Sequence, residues 1–243
     1  RNLHDAEDQM TIVTRTDFPR KVKEVENFWI PMSDGVKLAA RMFIPTDAEK
    51  NPVPAVLEYL PYRKRDGTHV RDALTHPYLA GHGYAAIRVD MRGNGDSDGL
   101  MQDEYTKQEQ DDALEVIAWI ARQKWCTGKV GMWGISQPGY YASAGMIDAH
   151  PALVAVSPQA PVTDYYMGDD VYHNGAFMLA ANFGFYANFP VRGAPTRPTN
   201  DPPFAFGTPD GYAFYMQMGP LLAGAATGAF EGSLDHPGPD ELY

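Results

Sequence analysis

A chain of 243 residues with 44% hydrophobic content has ample apolar material for a packed core, in one large domain or two small ones. Against 31 Asp and Glu stand 20 Lys and Arg, a net charge of −11, and the longest basic cluster is Arg63-Lys64-Arg65, which argues against nucleic acid and anionic membrane surfaces as partners. The single cysteine, Cys126, excludes an internal disulfide framework and a cysteine-rich metal site, and no run approaches the ~18 apolar residues of a membrane span.

The chain opens on Arg1 rather than Met and lacks the basic-then-apolar start of a signal peptide, which reads as a removed leader or an internal start. Alternating and apolar runs predict strands near 25–31 and 36–44, joined as a hairpin by Ser33-Asp34-Gly35. Further strands are expected over 53–60, 84–90, 129–134 and 153–158, with helical patterns near 72–82, 105–124 and 138–149 between them. The middle helix is the best marked: Ala113, Val116, Ile117 and Ile120 fall at helical spacing, and carboxylates crowd its first turns, where the helix dipole favours them. An antiparallel hairpin followed by β-α-β-α-β-α-β argues a mostly parallel α/β sheet with right-handed crossovers. Ligands bind beyond the carboxyl ends of such strands. Residues 164–190 are rich in Tyr, Phe, Met and Ala, and 190–211 carry six prolines. The division expected is a core over 1–163 and a helical insertion with a Pro-rich loop over 164–243.

Chemistry is signalled by Lys129 to Gly139, K-V-G-M-W-G-I-S-Q-P-G. A β-prone run ends on Gly134-Ile135-Ser136-Gln137-Pro138-Gly139 and a small-residue helix pattern follows, the form of a nucleophile elbow. A serine hydroxyl becomes a useful nucleophile when a sharp strand-to-helix turn exposes it to a base and to backbone N–H groups. Gly134 and Gly139 leave room for that turn. Pro138 would fall in the first helical turn, where its missing N–H has no partner to lose. The alternative is a glycine-rich junction whose serine merely caps the helix.

Three blocks carry a wider resemblance: Leu57 to Lys64 (LEYLPYRK), His82 to Ser97 (HGYAAIRVDMRGNGDS) and Trp125 to Ser136 (WCTGKVGMWGIS). They resemble the α/β-hydrolases of the cocaine-esterase and X-prolyl dipeptidyl peptidase group. Downstream, Ala149 to Leu153 (AHPAL), Ser157 to Pro161 (SPQAP) and Gly168 to Phe177 (GDDVYHNGAF) resemble the α-amino-acid ester hydrolases of that group. The resemblance implies an α/β-hydrolase fold, with Ser136 as the nucleophile that forms an acyl-enzyme. It implies that the Tyr62 hydroxyl forms half of the oxyanion hole and the Gln137 backbone N–H the other half. It also implies that Asp170, or Asp169 beside it, holds a substrate α-ammonium, since an ammonium leaving water needs a compensating charge; either carboxylate could instead cap a helix.

The departure from the family lies after the serine. In this fold the carboxylate and histidine of the triad follow the nucleophile after two further strands. The tail from Met218 to Tyr243 resembles the segment before the acid-bearing strand. The chain therefore reads as an amino-terminal portion, cut before the last strands, with a helical cap and little turnover alone. His69, His76, His82, His150, His173 and His236 are each read as surface or cap residues rather than the general base. Glu109, Asp111, Asp112 and Glu115 suggest helix-start carboxylates before a metal site. Arg92 to Gly99 reads as the loop after the fourth strand rather than a phosphate loop, and Trp125-Cys126 as packing. No cofactor is expected, and the partner is a small ester or amide substrate. A neutral aryl ester, an X-Pro peptide or a non-catalytic binding role are the alternatives, and homo-oligomerisation and compartment stay open.

Overall fold

The structure, a computed structural model, describes residues 17–64, 69–101, 105–164 and 172–177. Six strands form one sheet: β1 (Val22–Pro31), β2 (Lys37–Pro45), β3 (Val53–Leu60), β4 (Ala85–Asp90), β5 (Cys126–Ile135) and β6 (Leu153–Gln159), in the order β1-β2-β4-β3-β5-β6. Three helices connect them: α1 (His69–Gly81), α2 (Lys107–Ala121) and α3 (Gln137–Asp148). The expected strand and helix order holds throughout, with ends displaced by a few residues.

The sheet divides by direction. β4, β3, β5 and β6 run parallel, with Leu57 opposite Ile87 on one side and Met132 on the other. All six residues of β4 are buried, as expected of a central parallel strand covered on both faces. β2 joins antiparallel, Ala40 opposite Val89, and β1 pairs antiparallel with β2 across a bulge between Val25 and Phe28. Met32 donates to the Val36 carbonyl at 2.8 Å, closing the expected hairpin turn with Gly35 at φ +91°.

α2 begins at a capping box: the Thr106 hydroxyl accepts from the Glu109 N–H, and the Glu109 carboxylate accepts from the Thr106 N–H. Its Val116, Ile117 and Ile120 are fully buried and pack into one core with Leu57, Ile87, Val89, Val130 and Met132. Glu109 and Asp112 do more than complement the dipole. Both are buried: Glu109 accepts from the Tyr141 hydroxyl, and Asp112 takes both arms of Arg92 at 2.7 Å. Asp111 pairs with Lys107, and Glu115 accepts from Ser33 at 2.6 and 2.8 Å. These four carboxylates are thus committed to internal partners. Cys126 opens β5 and is buried, which raises its thiol pKa.

One correction concerns the segment read as helical. β7 (Tyr172–His173) and β8 (Ala176–Phe177) form a small hairpin. Asn174 and Gly175, both at positive φ (51° and 76°), make the turn. Two consecutive positive φ values define the tight hairpin turn for which Asn-Gly is the strongest short signal, and the Tyr172 and Phe177 paired across it are themselves β-favouring residues. The remainder of the expected cap lies outside the described residues. Among the described residues no helix is long and apolar enough to cross a membrane.

Candidate active site

The parallel strands end together, and their exits set the site. β5 stops at Ile135, Ser136 makes the bend, and α3 starts at Gln137 with Pro138 in its first turn. Ser136 sits at φ 64°, ψ −126°, a conformation that costs a non-glycine residue on the order of 1–3 kcal/mol and persists only when its surroundings impose it. Those surroundings are visible: the Ser136 N–H donates to the Gln159 carbonyl at 2.9 Å, and its carbonyl accepts from Tyr140 at 3.0 Å. A Cβ on Gly134 would overlap Pro138, and one on Gly139 would come within 2.8 Å of the Gln159 carbonyl. The strand and helix therefore approach as closely as two bare backbones allow.

The side chain argues against the capping reading of this serine. Ser136 is the N-cap of α3 by position, yet its hydroxyl makes no capping bond and the residue is exposed. A capping serine would accept from an N–H of the first turn. Among the described residues, this one makes no such bond.

Tyr62 lies two residues beyond the end of β3, the strand that neighbours β5. Its hydroxyl accepts a hydrogen bond from the Gln137 N–H at 3.3 Å, across 75 residues of sequence. The two groups expected to form the oxyanion hole are thus in contact beside Ser136. The Gln137 side chain is turned into the protein and is 1% exposed. Asp169 and Asp170 lie outside the described residues.

Among the described residues, no imidazole is bonded to the Ser136 hydroxyl. His82 is exposed with Nδ1 on the Tyr78 carbonyl at 2.7 Å, and His150 Nδ1 accepts from Ala152 at 3.1 Å. His76 corrects the expectation of a surface or cap position: it is fully buried. It belongs to a charged cluster behind the Tyr62 loop that the sequence did not announce. There Glu58 accepts from Arg71 at 2.6 Å and Arg88 at 3.0 Å, Asp72 pairs with Arg88, and Nε2 of His76 lies 4.0 Å from Glu58. Burial pushes the Asp72 carboxyl up to about 6 against the pull of Arg88, and lowers His76 to about 3 with help from Arg88 and Arg71. Donor atoms of Glu58, Asp72 and His76 lie within 4.8 Å of one another, but two guanidinium groups already neutralise the carboxylates. The cluster therefore has its cations built in.

The loop after β4 likewise serves the protein itself. Asp90, at the strand end, accepts from the Lys64 and Asp96 N–H groups at 2.6 and 2.9 Å, and a Cβ on Gly95 would collide with its carboxylate. At the other end of the parallel strands, an apolar hollow of about 270 Å³ opens beside Phe28, Trp119 and Trp125. It is remote from Ser136, which stands at the opposite end of β5.

Residues 34–204 match the family model described as X-Pro dipeptidyl-peptidase (S15 family). The chain belongs to this family. It is 33% identical over 167 residues to a cocaine esterase of Rhodococcus sp. (strain MB1 Bresler), covering 66% of this chain and 28% of that protein. An α-amino acid ester hydrolase structure superposes with a TM-score of 0.59 at 26% identity, over 79% of this chain and 34% of its own. An aminopeptidase from a marine sediment Thaumarchaeota archaeon superposes with a TM-score of 0.63 at 25% identity, over 96% and 41%. The fold of this S15 chain is the α/β-hydrolase fold, and the chain spans well under half the length of these relatives. The S15 match and the cocaine-esterase likeness agree with the group named from sequence.

Glu58, Arg88 and Lys64 are what sequence reasoning missed. Glu58 interrupts an otherwise apolar strand, Arg88 one that is apolar up to its terminal Asp90, and the two stand opposite each other in the β3–β4 register. A lone charge inside a buried parallel run was the available signal.

Proposed function

We propose that this chain carries the nucleophile and oxyanion site of a serine hydrolase that cleaves acyl esters or amides through an acyl-enzyme on Ser136. The observation that carries the reading is the uncapped, exposed Ser136 hydroxyl on a strained bend, next to the paired Tyr62 and Gln137 groups. In the first step Ser136 Oγ attacks the substrate carbonyl carbon, its proton passing to a general base, and the carbonyl oxygen takes the charge. The Gln137 N–H exchanges Tyr62 Oη for that oxygen as acceptor, while the Tyr62 O–H turns to donate to it. Two groups 3.3 Å apart can both reach one oxygen at hydrogen-bond distance, and such donors are each worth roughly 2.7–4 kcal/mol in the transition state. Collapse expels the alcohol or amine, and water then releases the acid and regenerates Ser136.

The substrate class proposed is an α-amino-acid ester, with Asp170 or Asp169 binding the ammonium. The likeness to an α-amino acid ester hydrolase supports it. The cocaine-esterase likeness favours a second reading, a neutral aryl ester. Comparing esters with and without an α-amino group in Asp170→Asn separates them: loss confined to amino esters supports the first, equal loss on both refutes it. The serine itself is tested in the full-length protein with a fluorophosphonate probe. Labelling and turnover should vanish in Ser136→Ala while its circular dichroism is kept; turnover in that variant would refute the mechanism.

A further inference from the structure

The oxyanion reading makes the position of one phenol critical, and that phenol sits on a loop. Tyr62 is followed by Arg63 at φ +65°, a left-handed conformation that a non-glycine residue adopts only when held there. What holds it is the next residue. Lys64 is fully buried, and each of its polar groups is engaged. Its N–H donates to Asp90 Oδ1 at 2.6 Å, its carbonyl accepts from Arg88 at 3.2 Å, and its ammonium lies 3.4 Å from Asp90 Oδ2 and pairs with Asp96. The partners are fixed in turn. Asp90 ends β4 and accepts from the Asp96 N–H, and Arg88 is clamped by Glu58 and Asp72. Gly95 has no side chain where one would displace the Asp90 carboxylate.

A turn that only had to fold could bury an apolar residue here, because taking an ammonium and two carboxylates out of water is costly. A directional set of bonds at both backbone groups and the side chain instead fixes position to a fraction of an ångström, and misplacement by about 1 Å is enough to cost roughly 10²-fold in rate. We propose that Lys64 is a positioning residue for the oxyanion site: gripped by Asp90, Asp96 and Arg88, it fixes the turn that holds the Tyr62 hydroxyl beside the Gln137 N–H. This rests on the proposed roles of Tyr62 and Gln137, and it adds a residue that never touches substrate.

The test is a double-mutant cycle in the full-length protein, with 4-nitrophenyl acetate as the probe. Tyr62→Phe should lower kcat about 10²-fold. Lys64→Met should lower kcat roughly 10- to 100-fold with KM nearly unchanged. The double variant should be no slower than Tyr62→Phe, because a misplaced hydroxyl and an absent one are equivalent. Losses that multiply, or a folded Lys64→Met with unaltered kcat, overturn the role of Lys64 and leave the oxyanion reading intact. Full activity in Tyr62→Phe overturns that reading, and the inference falls with it. Should Lys64→Met fail to fold, Asp96→Asn loosens the ammonium and keeps the Asp90 bond; a smaller kcat loss, again absent in the Tyr62→Phe background, is the expected result, and an additive loss overturns it.

Discussion

The buried His76 and Asp72 pull the pH dependence of stability in opposite directions. His76 is held near 3, below its ordinary 6.5, so its neutral form belongs to the fold; its contribution is complete above pH 6.5 and is lost as pH falls toward 3. Asp72 is raised from 3.8 to about 6, so its contribution is complete below 3.8 and is lost as pH rises through 6. Between about pH 6 and 4 the unfolded chain gains a proton on His76 while the folded chain gains one on Asp72, and the two offset. His76→Gln should therefore show a urea midpoint that drops less between pH 7 and 5 than in the parent, and Asp72→Asn one that drops more. Equal shifts in both variants would contradict the assignment. None of this was legible beforehand, because Glu58 and Arg88 meet across 30 residues and a charge within an apolar run does not name its partner.

At the scale of elements, the bend and the helix cap make separable predictions. Gly134→Ala places a methyl on Pro138, so β5 and α3 must part; a loss of about 1–3 kcal/mol in chemical denaturation and a collapse in probe labelling are expected. Gly131→Ala, in the same strand, meets nothing closer than 3.6 Å and should leave labelling unchanged. Thr106→Ala removes the cap of α2 and should cost about 1 kcal/mol with activity retained. These elements were readable because period and punctuation agreed: Gly134, Pro138 and Gly139 bracket the bend, and Val116 to Ile120 mark one face of α2. The order β2-β4-β3-β5 was not, since local pattern specifies strands and leaves their neighbours to be found. The Asn174-Gly175 hairpin was written in plain turn chemistry but masked by aromatic, helix-like surroundings.

For the molecule as a whole, the sheet has one edge at β1 and the other, among the described residues, at β6, where Val154 is 58% exposed. Among the described residues β6 has a neighbour on one side only, and such an edge with apolar side chains is a template for association, opposed here by a net charge of −11. A polypeptide of these 243 residues should self-associate, increasingly as pH nears its isoelectric point of about 5.0; light scattering showing a monodisperse monomer at that pH would contradict this. The opposite corner is stitched rather than open. Ser33 and Asp34, at the tip of the first hairpin, reach Glu115 on α2 and Arg92 after β4, and Arg92 also grips Asp112. Surface tips ordinarily accept spliced peptides without complaint. An epitope tag or circular-permutation cut between Asp34 and Gly35 would here unfasten three segments at once, so engineering of this protein should look elsewhere for its insertion point.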